Sequence, residues 1–211
     1  MLVSSTFNFM APKLFLASSN QGKLSEFIAL ANHPSPQFSP LELALLPNFS
    51  TFPPFPENAP TFAENAAGKA LHYSQFSECE ILADDSGLVV PALGGAPGVR
   101  SARYARPNAT SAERNAKLLD EMRHLTGPHR CAHFVCVLAV AKQGRPIAII
   151  SARADGEIAL APSGAAGFGY DPIFYLPALN KTFADLPADQ KNLLSHRGQA
   201  FRRLASVLVV T

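Results

Sequence analysis

Cysteine is scarce and unpatterned in this chain, occurring only as Cys79, Cys131 and Cys136. Three at irregular spacing build no disulfide framework, and no Cys-x-x-Cys pair offers a zinc site. Cys131 and Cys136 lie in the apolar run CAHFVCVLAVA and are expected to be reduced, small, buried residues of a cytosolic protein. An excess of one charge is lacking too: Lys plus Arg number 18 against 16 Asp plus Glu, a formal net charge of +2. That balance argues against a chain that coats nucleic acid, but leaves room for a local basic pocket holding one small anion. No apolar run approaches a membrane span. The opening MLVSSTFNF has neither a charged start nor a long apolar core, so no secretory signal is expected. What remains, 47% apolar and 16% charged in 211 residues, is an ordinary globular composition of a size that suits one domain.

Residues 1–12 are expected to be a loose N-terminal extension, and 13–211 a single domain. Lys13–Ala17 reads as a short buried strand. The polar loop Ser18-Ser19-Asn20-Gln21-Gly22-Lys23 follows, then a helix to Ala31 with Leu24, Phe27, Ile28 and Ala31 at helical spacing. Eight prolines between Pro34 and Pro60 predict mostly loop, with a short strand or two at most. Thr61-Phe62-Ala63-Glu64 is a capping box opening a helix to about Ser77. Its apolar stripe is Phe62, Ala66, Ala70 and Tyr73, and a separate polar stripe holds Thr61, Asn65 and Lys69. Glu80–Asp84 reads as a strand ending at a Ser86-Gly87 turn, with Leu88–Val90 beyond it. A second capping box at Thr110 to Glu113 opens a helix to about Leu125. His129–Lys142 and Pro146–Ala154 read as an antiparallel pair, residues 162–177 as an irregular glycine-rich loop, and the last segment as a helix with Phe201, Leu204, Ala205 and Leu208 on one face. Strands interleaved with helices, plus one hairpin, predict an α/β fold with a mixed, twisted central sheet flanked by helices.

Several segments carry chemistry-bearing residues. Asp84 and Asp85 end an apolar run, where a rigid strand would hold oxygen ligands for a hard cation such as Mg²⁺; a carboxylate capping a turn is the plainer alternative. SSNQGK sits between a strand and a helix, where backbone N–H groups, the helix dipole and Lys23 favour an anion. It is not a Walker A loop, because Leu24 follows the lysine. The glycine loop Gly167 to Pro172 carries aromatics able to stack a nucleobase. Ser195 can cap the last helix, leaving His196 and Arg197 free to donate into a cleft. The remaining histidines, His33, His72, His124, His129 and His133, have no partners at ligand spacing and are expected to be structural or surface residues.

In order along the chain, SSNQGK, TFAENAAGKA, ADDSGLVVPALGGAPGVRSARYA, GFGYDP, KTFADL and SHR closely resemble the motifs of the inosine/xanthosine triphosphate pyrophosphatase family. The resemblance spans Lys13 to about Leu208. It implies two lobes around a nucleotide-binding cleft, and Mg²⁺-dependent conversion of a non-standard purine nucleoside triphosphate (dITP, ITP, XTP, dXTP) and water to the monophosphate and pyrophosphate. By the same resemblance Asp85 is the proton acceptor for the attacking water and a metal ligand, with Glu57 the second metal-binding acid. Glu57 is followed by Ala59-Pro60 where the family commonly has a glycine, and Asp84 supports the site. Ser18, Ser19, Asn20, Gln21, Gly22 and Lys23 correspond to the loop that cradles the triphosphate, with Lys69 a further phosphate contact and Ser86 a substrate-contacting serine. Phe168, Gly169, Tyr170, Asp171, Lys191, His196 and Arg197 match the nucleoside and base pocket. Donors such as Arg197 would donate to the 6-keto oxygen of hypoxanthine or xanthine and reject the 6-amino group of adenine. A cytoplasmic homodimer with no nucleic-acid or membrane partner is the corresponding expectation.

Overall fold

Alternating apolar runs and helices up to Val89 give three parallel strands. These are β1 (Lys13–Leu16), β2 (Glu42–Leu45) and β3 (Glu80–Val89), with α1 (Gln21–Ala31) and α2 (Phe62–Tyr73) in the two crossovers. The computed structural model describes residues 13–33 and 41–208; the expected extension at 1–12 and Pro34, Pro36 and Pro40 lie outside them. After α3 (Ser111–Glu121), the long strands β4 (Cys131–Lys142) and β5 (Arg145–Ile158) form a hairpin. Its turn residues Gln143 and Gly144 have φ of 48° and 74°, the left-handed geometry that matches strand twist in a two-residue turn. Short strands β6 (Phe174–Leu176) and β7 (Lys181–Thr182) complete a seven-stranded mixed sheet in the order β2-β1-β3-β4-β5-β6-β7, and α4 (Ala188–Leu194) and α5 (His196–Leu208) follow. The chain is a single α/β domain.

Side chains alternate across a strand, so each strand feeds two cores. Leu14, Leu16, Leu82, Cys136 and Leu138 meet Leu24, Phe27 and Leu30 of α1 and Phe201, Leu204, Ala205 and Leu208 of α5 on one face. Ala83, Val137, Ala139 and Ala141 pack against Ala66 and Ala70 of α2 on the other. Leu88, Phe134, Phe174, Phe183, Leu118 and Met122 form a third cluster toward α3. Phe201 is fully buried, and truncating such a ring to alanine costs about 3–5 kcal/mol.

Four local expectations are corrected. Ile28 is 45% exposed and Leu30 takes the buried place on α1, three residues after Phe27. Helix α2 ends at Tyr73 and continues as a 3-10 turn, and its N-terminus is only half a capping box. Thr61 Oγ1 accepts from Glu64 N at 3.2 Å, but the Glu64 carboxylate returns to the Thr61 hydroxyl and not to its backbone. Cys131 is exposed at the start of β4, leaving Cys136 as the buried thiol. Most consequentially, β3 does not stop at Ser86-Gly87 but runs through it as one ten-residue strand. Gly87 serves close approach, not a turn: a Cβ there would sit 2.4 Å from Ser101 Oγ and 2.6 Å from the Gly98 carbonyl.

Candidate active site

The continuity of β3 decides where the two aspartates point. Strands β1 and β3 pair only as far as Leu16 opposite Leu82, where Ala17 N donates to Leu82 O at 2.9 Å. Beyond that point β3 keeps β4 on one side and, among the described residues, has no strand on the other. Such a gap at the carboxyl ends of parallel strands is where α/β sheets bind ligands. Asp84 and Asp85 stand side by side at this gap and, being adjacent, face opposite sides of the sheet.

Asp84 turns to the side of α1 and α5. Its Oδ2 lies 2.8 Å from Lys23 Nζ and 4.0 Å from Arg197 Nη2, and accepts from Ser86 Oγ at 3.0 Å. Burial alone would raise its pKa, but Lys23, Arg197 and Lys69 outweigh burial and hold the carboxyl well below the usual range. Lys23 is placed by α1, whose N-cap Asn20 accepts Lys23 N at 3.1 Å.

Asp85 turns to the side of α2. Asn65 Nδ2 donates to its Oδ2 at 3.0 Å, and the same amide accepts from Ala59 N at 3.0 Å, tying the loop after Glu57 to the aspartate. Glu57 pairs with Lys69 at 2.6 Å, and Arg103 donates to the Glu57 carbonyl at 2.9 Å. Burial of Asp85, assisted by the charges of Glu57 and Asp84 and opposed by Lys23 and Asn65, pushes its pKa up to about 6. Burial works against the Lys69 charge, yet Asp84, Glu57 and Asp85 together raise its pKa, so it stays cationic.

A third group closes the other end. Glu26 of α1 pairs with both Lys191 and Arg197, and Lys191 also meets Asp171 at 2.6 Å. Burial raises the Glu26 pKa, but the two cations overcome this and hold it low. Both cations lie beside the Phe168 ring, 5.2 and 5.5 Å from its centroid. The ring rests on Gly22, where a Cβ would come within 2.6 Å of it, so a side chain at residue 22 would push the aromatic away. His196 stacks on Phe134 with centroids 4.6 Å apart, and burial, with Arg197 and Lys191 nearby, keeps its imidazole neutral. His196 Nδ1 and Arg197 Nε are buried without a hydrogen-bond partner.

Asn20, Lys23, Ser86, Phe168, Gly169, Tyr170, Asp171, His196 and Arg197, all singled out from sequence, line one cavity of about 100 Å³. Within it the Tyr170 hydroxyl donates to Ser101 O, and the Asp171 carboxylate holds Phe168 N and Lys191. Ser18 is buried in the loop, whereas Ser19 and Gln21 are exposed. Glu57, Asp85 and Lys69 form a separate group across β3, linked to the cavity through Lys23, whose charge reaches Asp85. Sequence reasoning missed Glu26, one turn after Lys23 on the same helix. It placed Asn65 only on a polar stripe, and overlooked Arg114, Ser101 and Phe134, which also line the cavity.

Among the described residues no three His, Cys, Asp or Glu side chains converge on one point, so the chain offers no closed metal cage. Glu57 and Asp85 suit a different arrangement. Mg²⁺ characteristically takes one or two carboxylates and completes its shell with water and substrate phosphates. A buried carboxylate that resists ionisation beside a second acid is a donor set that a hard cation relieves.

The fold and these charges define an α/β protein with a buried carboxylate beside an aromatic, cation-lined cavity. The Ham1 family model matches residues 14–207. A dITP/XTP pyrophosphatase of Geobacillus kaustophilus is 46% identical over 192 residues, covering 91% of this chain and 92% of that protein. One from Coxiella burnetii is 42% identical over 199 residues, covering 93% and 96%. The solved Ham1 protein of Coxiella burnetii superposes with a TM-score of 0.82 at 41% identity, covering 95% of this chain and all of that one. The Ham1 protein of Staphylococcus aureus gives a TM-score of 0.79 at 36% identity, covering 93% and 97%. This chain belongs to the Ham1 family.

Proposed function

We propose that this protein hydrolyses non-standard purine nucleoside triphosphates (dITP, ITP, XTP and dXTP) to the monophosphate and pyrophosphate, clearing them before incorporation into DNA or RNA. The relatives' activity, dITP/XTP pyrophosphatase, supports this reading. The observation that carries it is the Asp84–Asp85 pair, whose neighbouring carboxylates stand at one sheet gap and are shifted in opposite directions from the ordinary carboxylate range. Such a divergence separates a charge that positions from a base that takes a proton.

Asp85, poised near neutrality, accepts the proton of the water that cleaves the anhydride between the α- and β-phosphates. Phosphoryl transfer asks a protein mainly for positioning and charge neutralisation. Lys23 and Lys69 supply positive charge where the pyrophosphate leaves, and the Ser18 to Lys23 turn at the N-terminus of α1 offers backbone donors to the phosphates. Glu57 and Asp85 are the residues that would hold Mg²⁺, which when bound neutralises phosphate charge. Ser86 contacts the nucleotide from β3, and the base enters beside Phe168. There the unpartnered donor on Arg197 and the neutral His196 receive the 6-keto oxygen. Adenine presents a donor at that position and leaves buried donors facing each other.

The decisive experiment is a nucleotide panel scored by pyrophosphate release, with Mg²⁺ and with a chelator. ITP, dITP and XTP should turn over far faster than dATP or dGTP, and only with the metal; comparable dATP turnover overturns the base pocket. No helix of the described residues is long and apolar enough to cross a membrane. A cytoplasmic homodimer without nucleic-acid partners completes the reading. The β5 edge supports the dimer, because it pairs with β6 only at Glu157 and Ile158 and leaves Ile147 and Ile149 about half exposed. Light scattering tests it.

A further inference from the structure

We infer that Arg114 is a specificity-determining residue that receives the 2-position of the purine and favours a 2-keto group. Arg114 lines the same cavity as Phe168, His196 and Arg197, but comes from α3 and not from α5. Its Nη1 donates to the carbonyls of Ala102 and Ala109, both at 2.9 Å, and its Nη2 donates to Ser111 Oγ at 3.0 Å. A guanidinium has five N–H donors. Those three bonds leave two without an acceptor, one at Nε, which is buried with no partner, and one at Nη2. Leaving the buried Nε donor unmet is costly, and a carbonyl oxygen supplied by a ligand would satisfy it.

The placement fits the geometry of a purine base. Its 6- and 2-substituents diverge from either side of N1, so two donors gripping both must approach from different elements. Arg197 and His196 occupy the α5 side, and Arg114 arrives from α3. The α3 side is also fastened to the base loop, since Gly169 N donates to the same Ser111 Oγ at 3.2 Å and Tyr170 donates to Ser101 O at 2.9 Å. Three ligand chemistries then separate. Xanthine offers an acceptor at position 2 and, because its N3 proton is acidic near neutrality, negative charge on that side. Hypoxanthine offers only a hydrogen and leaves Arg114 as it is. Guanine turns an amino donor toward a cationic donor, a mismatch that hydrogen-bonding sites reject strongly. Guanine shares the 6-keto oxygen with hypoxanthine, so Arg197 cannot tell them apart, whereas Arg114 can.

The inference rests on the proposed activity, and one experiment separates the two. kcat/KM for XTP, ITP and GTP is measured on the parent protein and on Arg114→Met. XTP should fall about ten- to a hundredfold relative to ITP, as expected for losing a hydrogen bond to a charged donor, and GTP should rise relative to ITP. An equal fall for XTP and ITP, or no change in their ratio, overturns the role of Arg114. A parent protein that hydrolyses neither XTP nor ITP overturns the activity itself. Should Arg114→Met fail to fold by circular dichroism, Arg114→Lys decides on the same ratio: a fall in XTP relative to ITP supports the role, and an unchanged ratio removes it.

Discussion

Asp84 and Asp85 share a strand, a sequence neighbourhood and near-complete burial, yet their surroundings treat them oppositely. Asp84 sits among paired charges. Lys23, Arg197 and Ser86 grip it, and Glu26, Lys191 and Asp171 extend the ion network behind them. Asp85 has one amide donor from Asn65, and the negative charges of Glu57 and Asp84 nearby. Burial opposes ionisation of both, so the neighbours decide the outcome. The Asp84 side has its charges paired before any ligand arrives and keeps His196 Nδ1 and Arg197 Nε unpartnered toward a base. The deficient side is left short of positive charge and donors, which is what a proton acceptor and a cation ligand need.

The most severe way to break this contrast is Asp85→Asn. Pyrophosphate release from ITP should fall at least about a thousandfold, because a general base and a proposed metal oxygen are lost together. The fold should survive, as judged by circular dichroism. A variant that keeps most of its activity would place the reacting water elsewhere. Asp84→Asn should do the reverse, damaging the fold first. Removing one partner of a buried charge pair leaves Lys23 uncompensated and Arg197 with Glu26 alone, and costs about 3–5 kcal/mol, read by urea denaturation. Unchanged stability would mean the network is redundant at that point.

Glu26→Gln sharpens the comparison on the base side. It removes the anion shared by Lys191 and Arg197 but keeps an acceptor, so the loss should be smaller, about 2 kcal/mol. Loosened cations should raise KM for ITP more than they lower kcat. An equal effect on both, or on kcat alone, would assign Glu26 to the reaction and not to positioning the base.

The two regions were also unequally legible in the sequence. Lys23, Asp85 and Lys69 could be found because local spacing places them: a turn before a helix, the end of an apolar run, and a polar stripe at four-residue intervals. Glu26 carries no local signature, since its partners Lys191 and Arg197 lie 165 and 171 residues away. Arg114 likewise reads as one more polar residue on a helix until the fold carries Ala102 to it and Gly169 to its neighbour Ser111. Gly87 misled the strand assignment because a glycine demanded by close packing looks the same in sequence as one demanded by a turn. The α/β alternation and the hairpin were readable because periodicity is local. The continuity of β3 depended on what packs across it.

The pH dependence of stability is the sharpest test, because its sign is opposite for the two neighbours. The Asp85 pKa rises from 3.8 to about 6 on folding, so the native state binds its proton more tightly than the unfolded chain. Such a group adds stability at low pH and loses it as pH climbs through about 6. At pH 8, with metal removed by chelator, Asp85→Asn should therefore be more stable than the parent by about 3 kcal/mol, and the difference should vanish below about pH 4. Asp84, held low, contributes stability above its unfolded pKa and withdraws it as the medium turns acid. The penalty of Asp84→Asn should accordingly shrink toward low pH, while the benefit of Asp85→Asn grows toward high pH. Thermal melts of both variants between about pH 2 and pH 8 read the two slopes, that of Asp84 below about pH 4 and that of Asp85 between about pH 4 and pH 6, and parallel slopes would mean that burial, and not the neighbouring charges, governs this strand.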